Sequence, residues 1–207
     1  MFKTLLIAYS DNLTPQLKNK FDEDFKKADK IVLNMVFAYA ILVAFITSFQ
    51  HGYFMLGIIG GGLIAGLSFA AYKVLAGTFL CRVIMATALT GMMAITIQQS
   101  NGLGEGHFVF FLNFAVLIRY RDILPLLVLV LETVVHHVIT AYCQTVGVEL
   151  GGVPVLVFSW GMESEWGLIG PLLYHVLLAL IGAGIATYYI FEGNNKWMLS
   201  ANGTIFT

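Results

Sequence analysis

Four histidines stand inside long apolar stretches of the sequence: His107, the adjacent pair His136 and His137, and His175. An ionisable side chain within a membrane span is costly and is a functional candidate by default. Imidazoles from several helices form a natural ligand set for a transition metal or for haem iron. We therefore interpret these four residues as candidate ligands. The fifth histidine, His51, ends an apolar stretch, and we expect it to be solvated at the membrane interface.

Two carboxylates and one amide lie close to these histidines in the sequence. Glu132 precedes His136 by four residues, so both side chains share one helix face. Glu105 precedes His107 by two residues in a glycine-rich segment. Glu105, Glu132 and Gln98 are therefore candidates to ligate the centre or to hydrogen-bond its imidazoles.

The chemical identity of the centre stays open at this level. A haem with two histidine ligands needs imidazoles on opposite sides of a planar slot, and the depths derived below allow a single haem b at most. A non-haem site would use three imidazoles and would accept copper, iron or zinc. The alternative is structural: the histidines bond to one another, to Glu132 and to backbone carbonyls, and only fix the helix packing. Adjacent helical residues are rotated by about 100°, so His136 and His137 do not point equally well at one centre.

The composition identifies the solvent of this chain as lipid. Hydrophobic residues make up 58% of the 207 residues and charged residues 11%, with a mean hydropathy of +0.83. A soluble protein carries about 25% charged residues. Membrane lipid is therefore an expected partner and nucleic acid is not. Cys81 and Cys143 lie near opposite membrane faces in the topology below, so no disulfide between them is expected.

The apolar segments predict an all-α membrane protein, a bundle of about six transmembrane helices, because one span needs about 20 residues. The predicted spans are 31–50, 53–72, 83–99, 103–118, 123–145 and 168–191. Residues 1–30 are expected to form a cytoplasmic leader with an amphipathic helix around 13–27, residues 31–192 the transmembrane domain, and residues 193–207 a cytoplasmic tail. The apolar run 153–158 is too short to cross. With Trp160, Glu163, Glu165 and Trp166 it predicts an outer loop at the interface.

The cationic residues decide the predicted orientation. All eleven fall on one side of these spans: Lys3, Lys18, Lys20, Lys26, Lys27, Lys30, Lys73, Arg82, Arg119, Arg121 and Lys196. Cytoplasmic loops carry the excess of Lys and Arg, so both termini are predicted to be cytoplasmic. Taking a rise of 1.5 Å per residue, His107 lies ~18 Å above the inner edge of the membrane core, and His136 and His175 each lie ~20 Å above it. Three spans thus bring imidazoles to one depth, in the outer half of the bilayer.

A short turn and a group of glycines can each be interpreted either as structural or as functional. Tyr120-Arg121-Asp122 form a tight turn before Pro125, which we interpret as a capped helix start with a snorkelling arginine rather than as a signalling or docking site. The glycines of the second span are interpreted as helix-packing positions rather than as a bare face for a cofactor: Gly57, Gly60, Gly61, Gly62 and Gly66.

The order of several short motifs resembles a known family. They are Ile97-Gln98-Gln99, Gly104-Glu105-Gly106-His107-Phe108, Tyr120-Arg121-Asp122, His136-His137 and His175. From about Ala28 to Tyr189 the chain resembles the multi-span membrane input domain that precedes methyl-accepting chemotaxis, diguanylate cyclase or histidine kinase modules in bacteria. The resemblance implies a sensory, multi-pass protein of the bacterial inner membrane. Ile123 departs from the family, which often has tryptophan there.

These patterns lead to two functional hypotheses. The first is a membrane-embedded sensory or ligand-binding module with a metal or haem site in the outer half of the bilayer. The second is an intramembrane redox enzyme that uses the same centre; no separate set of acid, base and nucleophile supports it. The tail after Phe191 is too short for an output module, so we expect a missing output domain or a separate cytoplasmic signalling partner. The protein could also form a homodimer. A small transporter that uses the histidines as proton relays is the third option; it lacks visible inverted repeats.

Overall fold

The computed structural model describes residues 13–159 and 166–205, and within them the chain is almost entirely helical. Helix α1 is Pro15–Phe45, α2 is Ser48–His51, and α3 joins a π-helical turn, Leu56–Gly61, to Gly62–Leu75. Helix α4 is Phe79–Gln99, and α5 consists of Val109–Leu117 between the 3-10 turns Gly104–Phe108 and Ile118–Tyr120. Helix α6 is Ile123–Thr145 and α7 is Ile169–Ile205, with a short antiparallel hairpin, β1 (Glu149–Leu150) and β2 (Val153–Pro154), between them.

Five helices of the described chain are long and apolar enough to cross a membrane: α1 with α2, then α3, α4, α6 and α7. The prediction of an all-α membrane protein is thereby confirmed. The predicted fourth span, 103–118, is a shorter element, since its α-helical part covers only Val109–Leu117. The count of six spans and the direction of the termini stay predictions.

Helix α4 forms the centre of the bundle. In the apolar 18-residue segment of α4, 67% is buried within the protein, against 17% in the corresponding segment of α7. Met85, Leu89, Met92 and Met93 are fully buried along it. Helices α1, α3, α5 and α6 pack against α4, while α7 packs against α5 and α6. The outward faces of the other helices are covered with exposed Leu, Ile, Val and Phe side chains, as expected for a surface that lies against lipid.

Helix α1 begins before the predicted membrane boundary and crosses it without a break. The Thr14 hydroxyl accepts from the Leu17 amide and caps the helix, with Pro15 in its first turn. Phe21 and Phe25 are buried four residues apart, which is the spacing of an amphipathic helix. The predicted helix around 13–27 is thus part of a helix that reaches Phe45, and most of the rest of the predicted leader lies outside the described residues.

The glycines of α3 separate into packed and open positions. A Cβ atom on Gly57 would overlap the Val43 carbonyl oxygen of α1, and one on Gly61 would lie 2.6 Å from Val43 Cγ2. At Gly62 and Gly66 such a Cβ would have no heavy atom of the described chain within 4 Å, apart from the adjacent residues and the backbone of its own helix. The packing interpretation therefore holds for the two glycines that face α1.

A buried glutamine closes the end of α1 that lies opposite the Lys-rich segment. Gln99 is fully buried, and its Nε2 donates to the Val43 carbonyl over 2.9 Å and to Ser48 Oγ over 2.7 Å. Thr47 Oγ1 donates to Gln99 Oε1. The last carbonyls of a helix lack partners within the helix, and here a side chain of α4 supplies one. Cys81 and Cys143 are both free thiols.

Candidate functional site

Three imidazoles from three helical elements meet in one cluster. The ring centroid of His107, at the start of α5, lies 4.7 Å from that of His175 on α7 and 5.4 Å from that of His137 on α6. The centroids of His137 and His175 are 5.8 Å apart. His107 and His137 are buried and His175 is half-buried. We call His107, His137 and His175 the three-histidine cluster.

The same hydrogen bond orients each ring of this cluster. The Nδ1 atom of His107 lies 3.1 Å from the Leu103 carbonyl oxygen, four residues earlier. His137 and His175 repeat this contact with the carbonyls of Thr133 and Pro171, at 2.9 Å each. A carbonyl only accepts, so each Nδ1 carries the proton and each Nε2 keeps its lone pair.

His136 lies beside the cluster and not within it. Its Nδ1 is 3.4 Å from His137 Nδ1, and the two rings are nearly perpendicular with centroids 5.2 Å apart. The sequence did not decide which of the two residues faces the site. In the structure it is His137 whose ring lies beside those of His107 and His175. His51 is exposed at the end of α2.

The predicted supporting residues divide between three places. Glu105 is exposed, and it lines the mouth of the cavity described below. Glu132 turns away from the cluster and accepts from Thr87 Oγ1 over 2.6 Å. Gln98 bonds to the loop after β2: its Nε2 donates to the Pro154 carbonyl over 2.9 Å, and its Oε1 accepts from the Leu156 amide over 3.2 Å. Glu132 and Gln98 therefore contact other parts of the fold instead of the imidazoles.

A phenylalanine closes the cluster from the side of this loop. Phe158 is fully buried, and its ring stacks on His107 with an interplanar angle of 13° and a centroid distance of 5.6 Å. Its centroid lies 4.9 Å from that of His175 and 5.8 Å from that of His137. Sequence analysis missed this residue because it assigned the run 153–158 only to the membrane interface. The predicted interfacial residues Trp160, Glu163 and Glu165 lie outside the described residues, and Trp166 is exposed.

Several backbone and side-chain bonds fix Phe158 in this place. Gln144 Oε1 accepts from the amides of Val157 and Phe158 over 2.8 and 3.1 Å, and Gln144 Nε2 donates to the Phe158 carbonyl over 2.7 Å. The Ser159 amide donates to the Gly102 carbonyl. Gly102 has φ +75°, and a Cβ there would lie 2.6 Å from the Phe158 nitrogen, so the close approach requires glycine.

The cluster opens on its other side into a cavity of about 570 Å³. Apolar side chains of α5 and α7 form most of its wall: Phe108, Phe110, Phe111, Leu172, Val176, Leu178 and Ala179. The polar groups that line it include the three histidines, Glu105 and Thr133. The Nε2 atom of His107 and the Thr133 hydroxyl are buried and have no hydrogen-bond partner among the described residues. A mostly apolar cavity with a few convergent polar groups is the usual form of a ligand site.

A second polar centre surrounds the Tyr120-Arg121-Asp122 turn at the end of the bundle where the Lys and Arg residues lie. Asp122 caps α6 by accepting from the Leu124 amide over 3.0 Å, as the sequence predicted. Asp122 also forms a buried ion pair with Arg82 of α4, with Nε and Oδ2 3.0 Å apart. The Tyr120 hydroxyl donates to buried Asp29 of α1 over 2.7 Å.

Arg121 does not extend freely toward water, as a snorkelling arginine would. It takes a left-handed conformation with φ 55°, and its guanidinium carbon lies 5.9 Å from the Trp197 ring centroid. Asn194 of α7 donates to its carbonyl over 2.9 Å. The turn is thus a buried junction of α1, α4, α6 and α7, and the interpretation as a simple capped helix start was too narrow.

Within the described ranges, no group of three or more His, Cys, Asp or Glu side chains is arranged to hold a metal ion as it stands. In comparisons with known proteins, the chain matches no family model, no curated protein and no solved structure. The resemblance to bacterial input domains therefore depends on the residue pattern alone, and function has to be argued from the site.

Proposed function

We propose that this protein is a membrane-embedded sensory module that binds one transition-metal ion, copper, iron or zinc, through His107, His137 and His175. One observation carries the proposal. Three imidazoles from three helical elements line one cavity, and each has its Nδ1 proton engaged by the carbonyl four residues earlier. Metal-binding histidines usually donate their other ring N–H in this way, which fixes the tautomer.

The spacing of the rings suits a single ion. Two imidazoles bound tetrahedrally through Nε2 at about 2.0–2.1 Å have ring centroids about 5.2 Å apart. The three observed separations are 4.7, 5.4 and 5.8 Å. The helices thus hold the three ring centroids at distances that one shared ion would allow. The buried, unpartnered Nε2 of His107 is the donor atom that an ion would satisfy.

A haem with two axial histidines fits less well. Axial ligands lie on opposite faces of the macrocycle, with ring centroids about 6 Å apart and a planar slot between them. Here all three centroid separations are below 6 Å. A macrocycle between any two rings would overlap the third ring. We therefore favour a non-haem ion over the single haem b.

The proposed topology has six spans, with α5 as the short fourth, and both termini in the cytoplasm of a bacterial inner membrane. The support is the distribution of cations, since all eleven Lys and Arg residues fall at one end of the predicted spans. The three-histidine cluster then belongs to the outer half of the bilayer.

A sensor also needs a path from its site to the cytoplasmic end. Helices α6 and α7 carry His137 and His175 at one end and meet the Tyr120-Arg121-Asp122 turn at the other, through the Asp122 cap and the Asn194 bond. If the ion binds more tightly when α6 and α7 are in one relative arrangement, its binding shifts the protein toward that arrangement. A cytoplasmic signalling partner or output domain would detect this shift.

The test is to purify the protein in detergent, record its absorption spectrum and measure bound metals by mass spectrometry. We expect one ion per chain and no Soret band. His107→Ala, His137→Ala and His175→Ala should each lose the ion, while His136→Ala is the matched control that should keep it. Well-folded protein without metal would overturn the proposal, as would loss of the ion from the control or from His51→Ala alone.

An intramembrane redox enzyme is the second candidate, favoured by one observation. Three protein ligands would leave a fourth position of an ion open, and the three histidines line a cavity large enough for an organic substrate. Oxidation of a lipid-soluble electron donor by metal-loaded protein, with an added electron acceptor that takes up the electrons, would select this candidate, and binding without turnover would select the sensor.

A further inference from the structure

The Thr133 hydroxyl lacks a hydrogen bond that five other small hydroxyl residues of the helices make. Ser68, Thr90, Thr96, Thr140 and Thr145 each donate to the carbonyl four residues earlier, over 2.6–3.2 Å. Thr133 is more than nine-tenths buried, lines the cavity, and its Oγ1 has no partner within the described chain. A buried polar atom without a partner needs an explanation, and an unseen ligand is one.

The Nε2 atom of His107 is the second polar atom of this cavity without a described partner. Because the Nδ1 of His107 donates to the Leu103 carbonyl, this Nε2 only accepts. The Thr133 hydroxyl both donates and accepts. The two atoms together match a group that can donate one hydrogen bond and accept another. A hydroxyl does both, whereas a carbonyl or an ether oxygen only accepts.

We infer that the cavity binds an apolar organic molecule that carries one hydroxyl group, a lipophilic alcohol or phenol. Its hydroxyl donates to His107 Nε2 and accepts from Thr133, and its apolar body lies against the phenylalanines of α5 and the leucines of α7. The volume of about 570 Å³ lies within the range of about 300–1,000 Å³ for organic ligands. It is far larger than one water molecule, whose share of liquid volume is about 30 Å³.

The wall of the cavity indicates that this molecule enters from the bilayer. Leu103, Phe108, Phe111 and Tyr174 line the cavity, and all four are at least 39% exposed on the helical surface. On the opposite side Phe158 closes the cluster and is fully buried. A molecule dissolved in lipid meets the open, apolar side, and an aqueous solute meets the closed one.

This inference rests on the proposed function only in using the same His107 lone pair. With an ion bound there, the hydroxyl oxygen would meet the ion instead of the imidazole. Ligand binding is therefore tested on the full chain after treatment with a chelator, so that it does not depend on metal retention. Absence of metal would overturn the proposed function and leave this test intact.

The experiment compares para-nonylphenol with para-nonyltoluene, in which a methyl group replaces the hydroxyl and neither donates nor accepts a hydrogen bond. The protein is reconstituted in nanodiscs, and the increase of its melting temperature with probe concentration gives a dissociation constant for each probe. We expect the phenol to bind about tenfold more tightly than the toluene, since the hydrogen bonds to His107 and from Thr133 both depend on the hydroxyl. In Thr133→Val the difference should shrink to about threefold or less.

Thr140→Val is the matched control, because Thr140 lies on the same helix and its hydroxyl already donates to the His136 carbonyl. This variant should keep the tenfold preference for the phenol. Equal binding of the two probes to the unmodified protein would overturn the inference. Loss of the preference in Thr140→Val to the same extent as in Thr133→Val would also overturn it, since the effect would then not come from the cavity.

Discussion

The ion pair between Arg82 and Asp122 is buried within the fold, and replacing Asp122 tests how much the pair contributes to stability. The two side chains are only 3% and 0% exposed. Asp122→Asn keeps a residue that caps helices well but removes the negative charge that lies 3.0 Å from the buried Arg82 Nε. Removing one partner of a buried pair costs about 3–5 kcal/mol. We expect a loss near the lower end, because the Asn oxygen still accepts a hydrogen bond.

The measurement is the free energy of unfolding in detergent micelles, obtained by titration with a denaturing detergent. Arg119→Ala provides the control, since it removes a pair with Asp24 that spans 3.7 Å and is 34% and 23% exposed. Exposed pairs contribute about 0–1 kcal/mol. The Asp122→Asn variant should therefore lose at least about 2 kcal/mol more than the control.

A double variant separates the charge from other effects. Arg82→Met combined with Asp122→Asn leaves neither charge in the interior, so it should be more stable than Asp122→Asn alone. If Asp122→Asn costs no more than Arg119→Ala, the pair is not energetically buried and the reasoning fails. The single variant Arg82→Met completes the comparison. The reasoning fails equally if the double variant loses as much unfolding free energy as Arg82→Met and Asp122→Asn lose together, because the two charges would then not interact.

Two further predictions concern the loop and the helix packing. Gln144→Leu removes three hydrogen bonds to residues 157 and 158, so the Phe158 amide should exchange with deuterium at least about tenfold faster; an unchanged rate would mean that other contacts hold the loop. Gly57→Ala places a Cβ against the Val43 carbonyl and 2.7 Å from the Gln99 amide nitrogen, so we expect a loss of about 1–3 kcal/mol in unfolding free energy. Gly66→Ala, in open space, should be neutral or stabilising by up to about 1 kcal/mol, and equal effects at both glycines would contradict the packing argument.

The meeting of the three imidazoles could be predicted because helical rise is constant. Counting residues from the predicted membrane edges gave His107, His137 and His175 nearly one depth, and depth is a property of each helix alone. Rotation about the helix axis is different, since it depends on the neighbouring helices. Sequence reasoning could therefore not choose between His136 and His137, and it could not foresee that Glu132 turns toward Thr87.

Contacts between distant segments account for most of what the sequence did not reveal. Phe158 reaches the cluster only because Gln144 and Gly102 bind its backbone, and no local pattern marks these pairings. Arg82 was counted among the cytoplasmic cations, as a residue that flanks the loop between the second and third predicted spans. The structure buries it inside α4, because a carboxylate from another turn lies beside it.

The length of α7 has a mechanical consequence. This helix continues without interruption from Ile169 to Ile205, and about 45 Å of it lie beyond His175. A rod of that length acts as a lever arm. Each degree of tilt about His175 displaces its far end by about 0.8 Å, so a rearrangement of a few degrees around one imidazole becomes a movement of several ångströms where the helix ends.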